Sequence, residues 1–411
     1  TTNYQLSLVN TKENPMPALK EPKRPPVVTP AEIAAKLEHL REVLAEANCR
    51  GIFFQAEGAL RWLTGTRHQI TDVAPSAPSP VGALCLPSGK GWEITFVSAP
   101  WETPRLRDEM PPVFKKVAGA RLAFANALPK LPPRVLLPGA AAYPKVLGRA
   151  VRPLVGGFTG NQFKKYAWVA ATLARVVAES ARQLRPGMDG PAVHALLYAN
   201  LAAQGIETNM ILLALKGQQA HLHPLYGERY KVAKNCMLKL VTAGRYGDVI
   251  VSQSQMVKFG RLTAKEAAVY AALREAAVEY ADLYRAGAAE KDVWAGSGER
   301  FAMIEKKHGL KGFAKSAYLH HSGGPTSPLG NRDHCVSQDA RERCFPGMSF
   351  AINPCDALGQ GLKVELQGVV TAGGAPRMLD AGAGAPPETL PRTTVTASGG
   401  TVCAVQDVIV L

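Results

Sequence analysis

FKKYAWVAATLARVVAESARQLRPGMDGPAVHALLYANLAAQG, residues Phe163–Gly205, is the stretch on which the fold turns. Its first part sets Tyr166, Ala170, Leu173, Val177 and Leu184 along one face at helical spacing, which predicts a long helix over Phe163–Leu184. Arg185-Pro186-Gly187-Met188-Asp189 breaks it, and a second helix over roughly Pro191–Ala203 ends at Gly205. The same order returns further on. Thr263 and Glu266 have capping-box spacing, a long helix runs to about Tyr284, Arg285-Ala286-Gly287 interrupts, and another helix from about Lys291 ends at Gly309. Strands follow each pair. The repeat lies in pattern more than in identity, and it lets two half-domains pack their sheets around one shared site.

Upstream, residues 1–28 are polar and rich in proline (Pro15, Pro17, Pro22, Pro25, Pro26) and read as an extended arm. Thr29, Pro30 and Glu32 then mark a helix start with N-cap, N1 and N3 residues of the right type, and Ile33, Leu37, Leu40 and Leu44 follow before Gly51. Ile52–Gln55, Val81–Pro87, Trp92–Ser98 and Val135–Leu137 read as strands, the middle two joined across Ser88-Gly89. The class is α/β (α+β), with expected units 1–28, 29–158 and 159–411.

Composition narrows the functions. The chain has 411 residues, 46% hydrophobic and 20% charged, as a globular protein of two domains does. No run approaches the ~18 apolar residues of a membrane span, and nothing resembles a signal peptide. With 48 basic against 33 acidic residues the net charge is +15, which suits a solvated basic surface or an anionic ligand or partner. No basic run is interleaved with aromatics, so nucleic acid is not expected. The seven cysteines include no C-x-x-C pair, which favours reduced thiols and a cytoplasmic location. Cys335, Cys344 and Cys355 lie near His320 and His321, but without the tight pairing of a zinc site.

A family resemblance enters with seven landmarks in order. Ala59-Leu60-Arg61-Trp62-Leu63-Thr64-Gly65 resembles an N-x-R-Y-L-T-G segment, and Arg185-Pro186-Gly187-Met188 resembles a break between paired helices. Gln218–His223 is similar to a segment bearing a substrate-side histidine. Leu240–Gly244 with Val251–Gly260 resembles a hairpin that bears two metal-binding aspartates. His320-His321-Ser322-Gly323-Gly324, Phe345–Pro354 and Lys363-Val364-Glu365 resemble a GHG-x-G loop, a pGMvfTiEP strand and an R-x-E-D strand. Together they identify residues 31–411 with the pita-bread family of creatinase, prolidase and aminopeptidase P. The resemblance implies a creatinase-like N-terminal domain and a pita-bread domain with pseudo-twofold duplication. The family's metallopeptidases hold two cations with two Asp, one His and two Glu. Carried over by position, these become Thr242, Gln253, His321, Asn353 and Glu365, so most ligands are replaced. Adjacent dications need several carboxylates to offset their repulsion, so no metal and no cofactor are expected.

Creatinase is the family's example of working without metal, and His321-Ser322 leading to Arg332-Asp333 resembles it further. The resemblance implies an acid/base histidine within Gln218–His223, and spacing to Arg229 favours His223 over His221. Histidine titrates near neutral pH, as C–N cleavage or proton abstraction requires. Glu365 would orient or charge-balance His223, while His221, His321, Arg332, Thr242, Gln253 and Asn353 would bind substrate, with Arg332 and Arg229 on a carboxylate. Blander readings stand beside these: exposed loop histidines, Glu365 as a relic paired with Lys363 or an arginine, and Arg332-Asp333 as a surface ion pair. A guanidinium would favour two carboxylates, and Asn353 replaces one. The neutral set Thr242, Gln253, Gln255 and Asn353 suits a neutral or anionic small molecule. The leading expectation is a metal-independent hydrolase or lyase on a small amino-acid-like or amide substrate. A peptide- or protein-binding module and a Xaa-Pro metallopeptidase are the alternatives, and a homodimer is expected by analogy.

Overall fold

The computed structural model describes residues 23–66, 78–156, 160–219, 224, 226–319, 323–326, 336–379 and 390–411. Thr29 opens helix α1 (Pro30–Glu46), its hydroxyl accepting the Glu32 amide at 3.2 Å. The capping box expected here is only half made. The Glu32 carboxylate accepts instead from Lys36, Lys165 and Asn161, because buried ammoniums offer it stronger, charge-assisted bonds than the Thr29 amide does. The helix stops short of Gly51, and Asn48 turns the chain at φ 53°.

Strand β1 (Gly51–Ala56), helix α2 (Glu57–Thr64), the hairpin of β2 (Pro78–Ser88) and β3 (Gly91–Ser98), helix α3 (Thr103–Glu109), β4 (Ala120–Ala125), β5 (Val135–Leu136) and helix α4 (Tyr143–Gly156) follow. The strands form one sheet in the order β4-β3-β2-β1-β5, packed on α1 and α4 through Leu37, Leu40, Ile52, Phe54 and Val146. Helix α2 carries the Ala59–Gly65 landmark, and every one of its residues is buried.

The duplication appears as expected from the pattern. Helices α5 (Gly160–Gln183) and α6 (Gly190–Ala203) are separated at Gly187, whose φ of 99° suits glycine alone. Strands β6 (Glu207–Ala214), β7 (Met237–Tyr246) and β8 (Val249–Lys258) follow as antiparallel neighbours. Helix α7 (Ala264–Ala281) then starts with a complete Thr263–Glu266 capping box. Gly287, φ 85°, precedes α8 (Glu290–His308), which Gly309 ends in the left-handed region. Helix α9 (Phe313–Leu319), β9 (Gly323–Pro325), β10 (Ser349–Ile352), β11 (Leu366–Val369), β12 (Arg377–Met378), β13 (Arg392–Thr396), β14 (Val402–Gln406) and β15 (Ile409–Val410) complete the chain. One sheet runs β15-β8-β7-β6, another β12-β11-β10-β9, and β13-β14 is a hairpin.

A buried charge knot ties α1 to this second part. Lys36 Nζ donates to Glu32, to Asp248 at 2.8 Å and to the Trp62 carbonyl at 2.6 Å. Lys165 of α5 reaches Glu32, Asp248 and the Val27 carbonyl, and Gln162 adds a bond to Asp248 at the β7–β8 turn. All four charged side chains are buried. The preceding segment straps across the same junction: Tyr246 donates to the Pro25 carbonyl, Asn161 to that of Pro26, and Arg24 lies over the Trp168 ring. No helix among the described residues is long and apolar enough to cross a membrane.

Candidate functional site at the seam of the two sheets

The two duplicated sheets meet where β8 approaches β11. Strand residues alternate faces, so register decides what faces what. On β10, Phe350 stacks on Tyr284 with centroids 4.2 Å apart, and Phe350, Ile352 and Leu366 belong to the core under α7 and α8. The alternate residues turn the other way. Ile352 pairs with Leu366 and Cys355 with Lys363 in one continuous register, which sets Asn353 opposite Glu365. Glu365 accepts from the hydroxyls of Ser252 and Ser254, both at 2.7 Å, and lies 3.6 Å from the Lys363 ammonium. Gln367 donates to Ser252. Glu365, Lys363 and Asn353 are each 2% exposed or less.

Thr242 and Gln253 do not join this group. They pair directly across β7 and β8, on the face that carries Leu238, Leu240, Leu213 and Val257 into the core beneath α5 and α6. A Cβ at Gly244, two residues from Thr242, would meet Leu173 of α5 at 3.3 Å. The Gln253 amide donates to the Gln406 carboxamide at 2.9 Å, and Gln255 donates to the Met256 and Asp407 carbonyls. The alternation Ser252-Gln253-Ser254-Gln255 thus sends serines to Glu365 and glutamines to the helix side. A cavity of about 30 Å³, room for one water, opens at the seam beside Ala170, Gln253, Tyr270, Glu365, Gln367 and Gln406. The Oε1 atoms of Gln253 and Gln367 and the Nε2 of Gln406 are buried there with no partner, as is Thr242 Oγ1 within β7. A larger hollow of about 410 Å³ lies elsewhere, at α7, α8 and β13, and its Lys307 and Glu275 already pair with each other.

His221, His223, His321 and Arg332 lie outside the described residues, as do His320 and Cys335. Arg229 is exposed and bonds the Tyr230 hydroxyl, its guanidinium over that ring. Sequence reasoning missed Ser252 and Ser254, although their period of two was visible. It also missed Lys239, a lone charge in the apolar strand Met237–Ala243 and 1% exposed. Lys239 pairs with Met256 and so stands on the Ser254 side of the sheet. Burial, together with nearby Lys363, holds its ammonium below the ordinary lysine range. Burial pushes the Cys355 thiol up, partly countered by Lys239 and Lys363.

The described residues at these positions do not fit a dinuclear metal centre. Two of the five positions face the helices, Asn353 is neutral, and Glu365 already faces an ammonium that any cation would have to displace. Among the described residues no three His, Cys, Asp or Glu side chains converge to hold an ion.

Comparison with known proteins places the fold. A crystal structure of dipeptidase PepE from Mycobacterium ulcerans superposes with a TM-score of 0.63 at 17% identity, covering 86% of this chain and 96% of that one. A Xaa-Pro dipeptidase from Bacillus anthracis gives 0.62 at 16%, covering 92% and 100%. X-Pro aminopeptidase from Thermotoga maritima MSB8 gives 0.61 at 14%, covering 91% and 99%. At these identities the likeness establishes the expected pita-bread architecture alone, and no curated protein sequence matches. The model of metallopeptidase family M24 matches residues 165–377, just over half of the chain and all of both duplicated helix pairs but the first turn of α5, and the chain therefore belongs to that family.

Proposed function

We propose that this M24-family protein acts without the dinuclear metal centre, as a C–N hydrolase or lyase on a small amino-acid-like or amide substrate. The observation that carries this reading is the state of Glu365. It is the one carboxylate left at the four described ligand positions, and two serine hydroxyls and the Lys363 ammonium already hold it. A carboxylate so engaged is a poor cation ligand and a good fixed counter-charge.

In this reading His223 moves the proton. As a neutral imidazole it accepts one from the attacking water or the substrate, and as imidazolium it returns one to the leaving nitrogen. Glu365 stabilises the imidazolium, and Asn353, opposite it, hydrogen-bonds the substrate. His221, His321 and Arg332 complete the binding groups, with Arg332 on a substrate carboxylate. Gln253 acts from behind the strand, through Gln406, as a positioning residue. A homodimer at twice the 43.9 kDa chain mass, in the cytoplasm, is part of the same reading.

Family membership supports the rival, a Xaa-Pro metallopeptidase. Metal content by mass spectrometry, on protein purified without chelator or metal-affinity resin, separates the two. Essentially no transition metal, with turnover of an amide or amino-acid-like substrate lost in His223→Ala and its circular dichroism unchanged, is the expected result. About two ions per chain, the number the family's dinuclear centre requires, or full activity in His223→Ala, overturns the proposal.

A further inference from the structure

Among the described residues strand β13 pairs with β14 alone, antiparallel and in continuous register from Arg392↔Gln406 to Thr396↔Val402. Two backbone bonds at the ends of this hairpin fix which groups point where. The Ala397 amide donates to the Thr401 carbonyl, and the Asp407 amide to the Pro391 carbonyl. Bonded and non-bonded pairs alternate in an antiparallel ladder. Thr393 and Val395 therefore direct their main-chain groups to β14, while Thr394 and Thr396 turn theirs to the outer edge. Both are exposed, and no other main-chain partner meets them there among the described residues.

That edge borders a groove. The hollow of about 410 Å³ is lined by Thr393, Thr394, Val395 and Thr396 in unbroken succession. Neighbouring strand residues point to opposite faces, so a hollow that touches four in a row meets the strand along its edge. Ala271 of α7 and Met303 of α8, the latter 41% exposed, complete it. Each charged side chain in its lining has an ion-pair partner: Lys307 with Glu275, Arg274 with Asp407, Glu279 with Arg300. Exposed strand edges are commonly blunted by lysine, proline or a bulge. From Thr393 to Thr396 this one has none of them, and its residues are all β-branched strand formers.

We propose that the β13 edge docks an extended segment of a partner protein, which adds to the β13–β14 hairpin as a further strand and lies in the groove beside α7 and α8. The N–H and C=O groups of Thr394 and Thr396 hold its main chain. Thr393 bonds Arg274 of α7, and Val395 packs on the core of α7 and α8. The segment's side chains on that side meet Ala271 and Met303 and are apolar; those between them face solvent and are polar. This docking is independent of the reaction proposed at the seam.

The test uses the intact chain and a phage-displayed library of random peptides as probe. Peptides selected on the wild type are measured against variants by fluorescence anisotropy. Thr394→Pro deletes an outward N–H and leaves the bonds to β14 in place, as an edge strand tolerates. It lowers affinity by about tenfold or more. Thr394→Val keeps the N–H and keeps the affinity, and bound peptide slows amide exchange at Thr394 and Thr396. Thr396→Pro serves if Thr394→Pro does not fold. A library that yields no peptide weakened by the proline variant overturns the inference. So does a wild-type dimer that the proline variant converts to monomer, which assigns the edge to a second copy of this chain.

Discussion

Two buried ionic clusters in this molecule make opposite use of lysine. At the junction of α1, α5 and the β7–β8 turn, Lys36 and Lys165 alternate with Glu32 and Asp248, two positive and two negative, with Gln162, Asn161 and two backbone carbonyls filling the remaining valences. At the seam, Lys363 lies 3.6 Å from Glu365 and acts on the nearby Lys239, beside carboxamides with unused atoms. The first cluster is closed and neutral, as a structural lock must be. The second leaves carboxamide atoms of Gln253, Gln367 and Gln406 buried without a hydrogen-bond partner, which is where a protein keeps room for something else. Burial alone therefore does not separate structure from function here; the balance of partners does.

The comparison breaks most visibly at Asp248. Asp248→Asn leaves two buried ammoniums facing one carboxylate, and urea denaturation should show a loss of about 3–5 kcal/mol. A loss under about 1 kcal/mol would mean the knot is not a lock. The same group sets the acid limit. Burial raises the Asp248 carboxyl pKa, but Lys165 and Lys36 outweigh it and hold the group well below the usual carboxylate range. The unfolded chain then binds the proton first on acidification. The stabilisation is full above the unfolded value of about 4 and is lost as pH falls below it. Lys36 has the opposite sign. Burial lowers it, Asp248 and Glu32 more than offset that, and its contribution persists until pH rises above the ordinary lysine range. Asp248→Asn should flatten the acid limb of a midpoint-versus-pH curve; an unchanged limb would assign it to other carboxylates.

Smaller effects sharpen the contrast. Glu365→Gln weakens one ion pair of Lys363 and the acceptor of two serine hydroxyls and should lose about 1.5–3 kcal/mol by the same denaturation, besides any effect on turnover. Lys239→Met should stay within about 1 kcal/mol of wild type or gain stability, since burial already disfavours the Lys239 ammonium. A loss as large as that of Asp248→Asn would show the seam to be a second lock. The smallest change is Tyr246→Phe, which deletes the bond to the Pro25 carbonyl at 2.8 Å and should lose about 1 kcal/mol. A loss beyond about 2 kcal/mol would mean that the 24–28 strap holds the junction as much as the charges do.

Much of the fold was legible along the chain. The apolar spacing of Phe163–Leu184, the breaks at Gly187 and Gly287 and the Thr263–Glu266 cap each act over a few residues, and each produced the element it predicted. The candidate site was legible only in part. Glu365 and Asn353 come together as position in the motif suggested, but Thr242 and Gln253 turn to the helices. A motif spaced along a strand names residues without naming the face they occupy, and one step of register reverses it. Ser252 and Ser254, flanking the expected ligand position, are the ones that reach Glu365.

By itself, then, the sequence determined the elements, their duplicated order and which residue types stand at the motif positions, because caps, breaks and side-chain chemistry are local properties. Only the tertiary structure decided which charges meet. Lys36 and Asp248 lie 212 positions apart and Ser252 and Glu365 lie 113 apart. No local preference encodes such a pairing; it follows from how two twisted sheets and the helices over them close on one another, and that closure determined which lysines became a lock and which were left facing the seam.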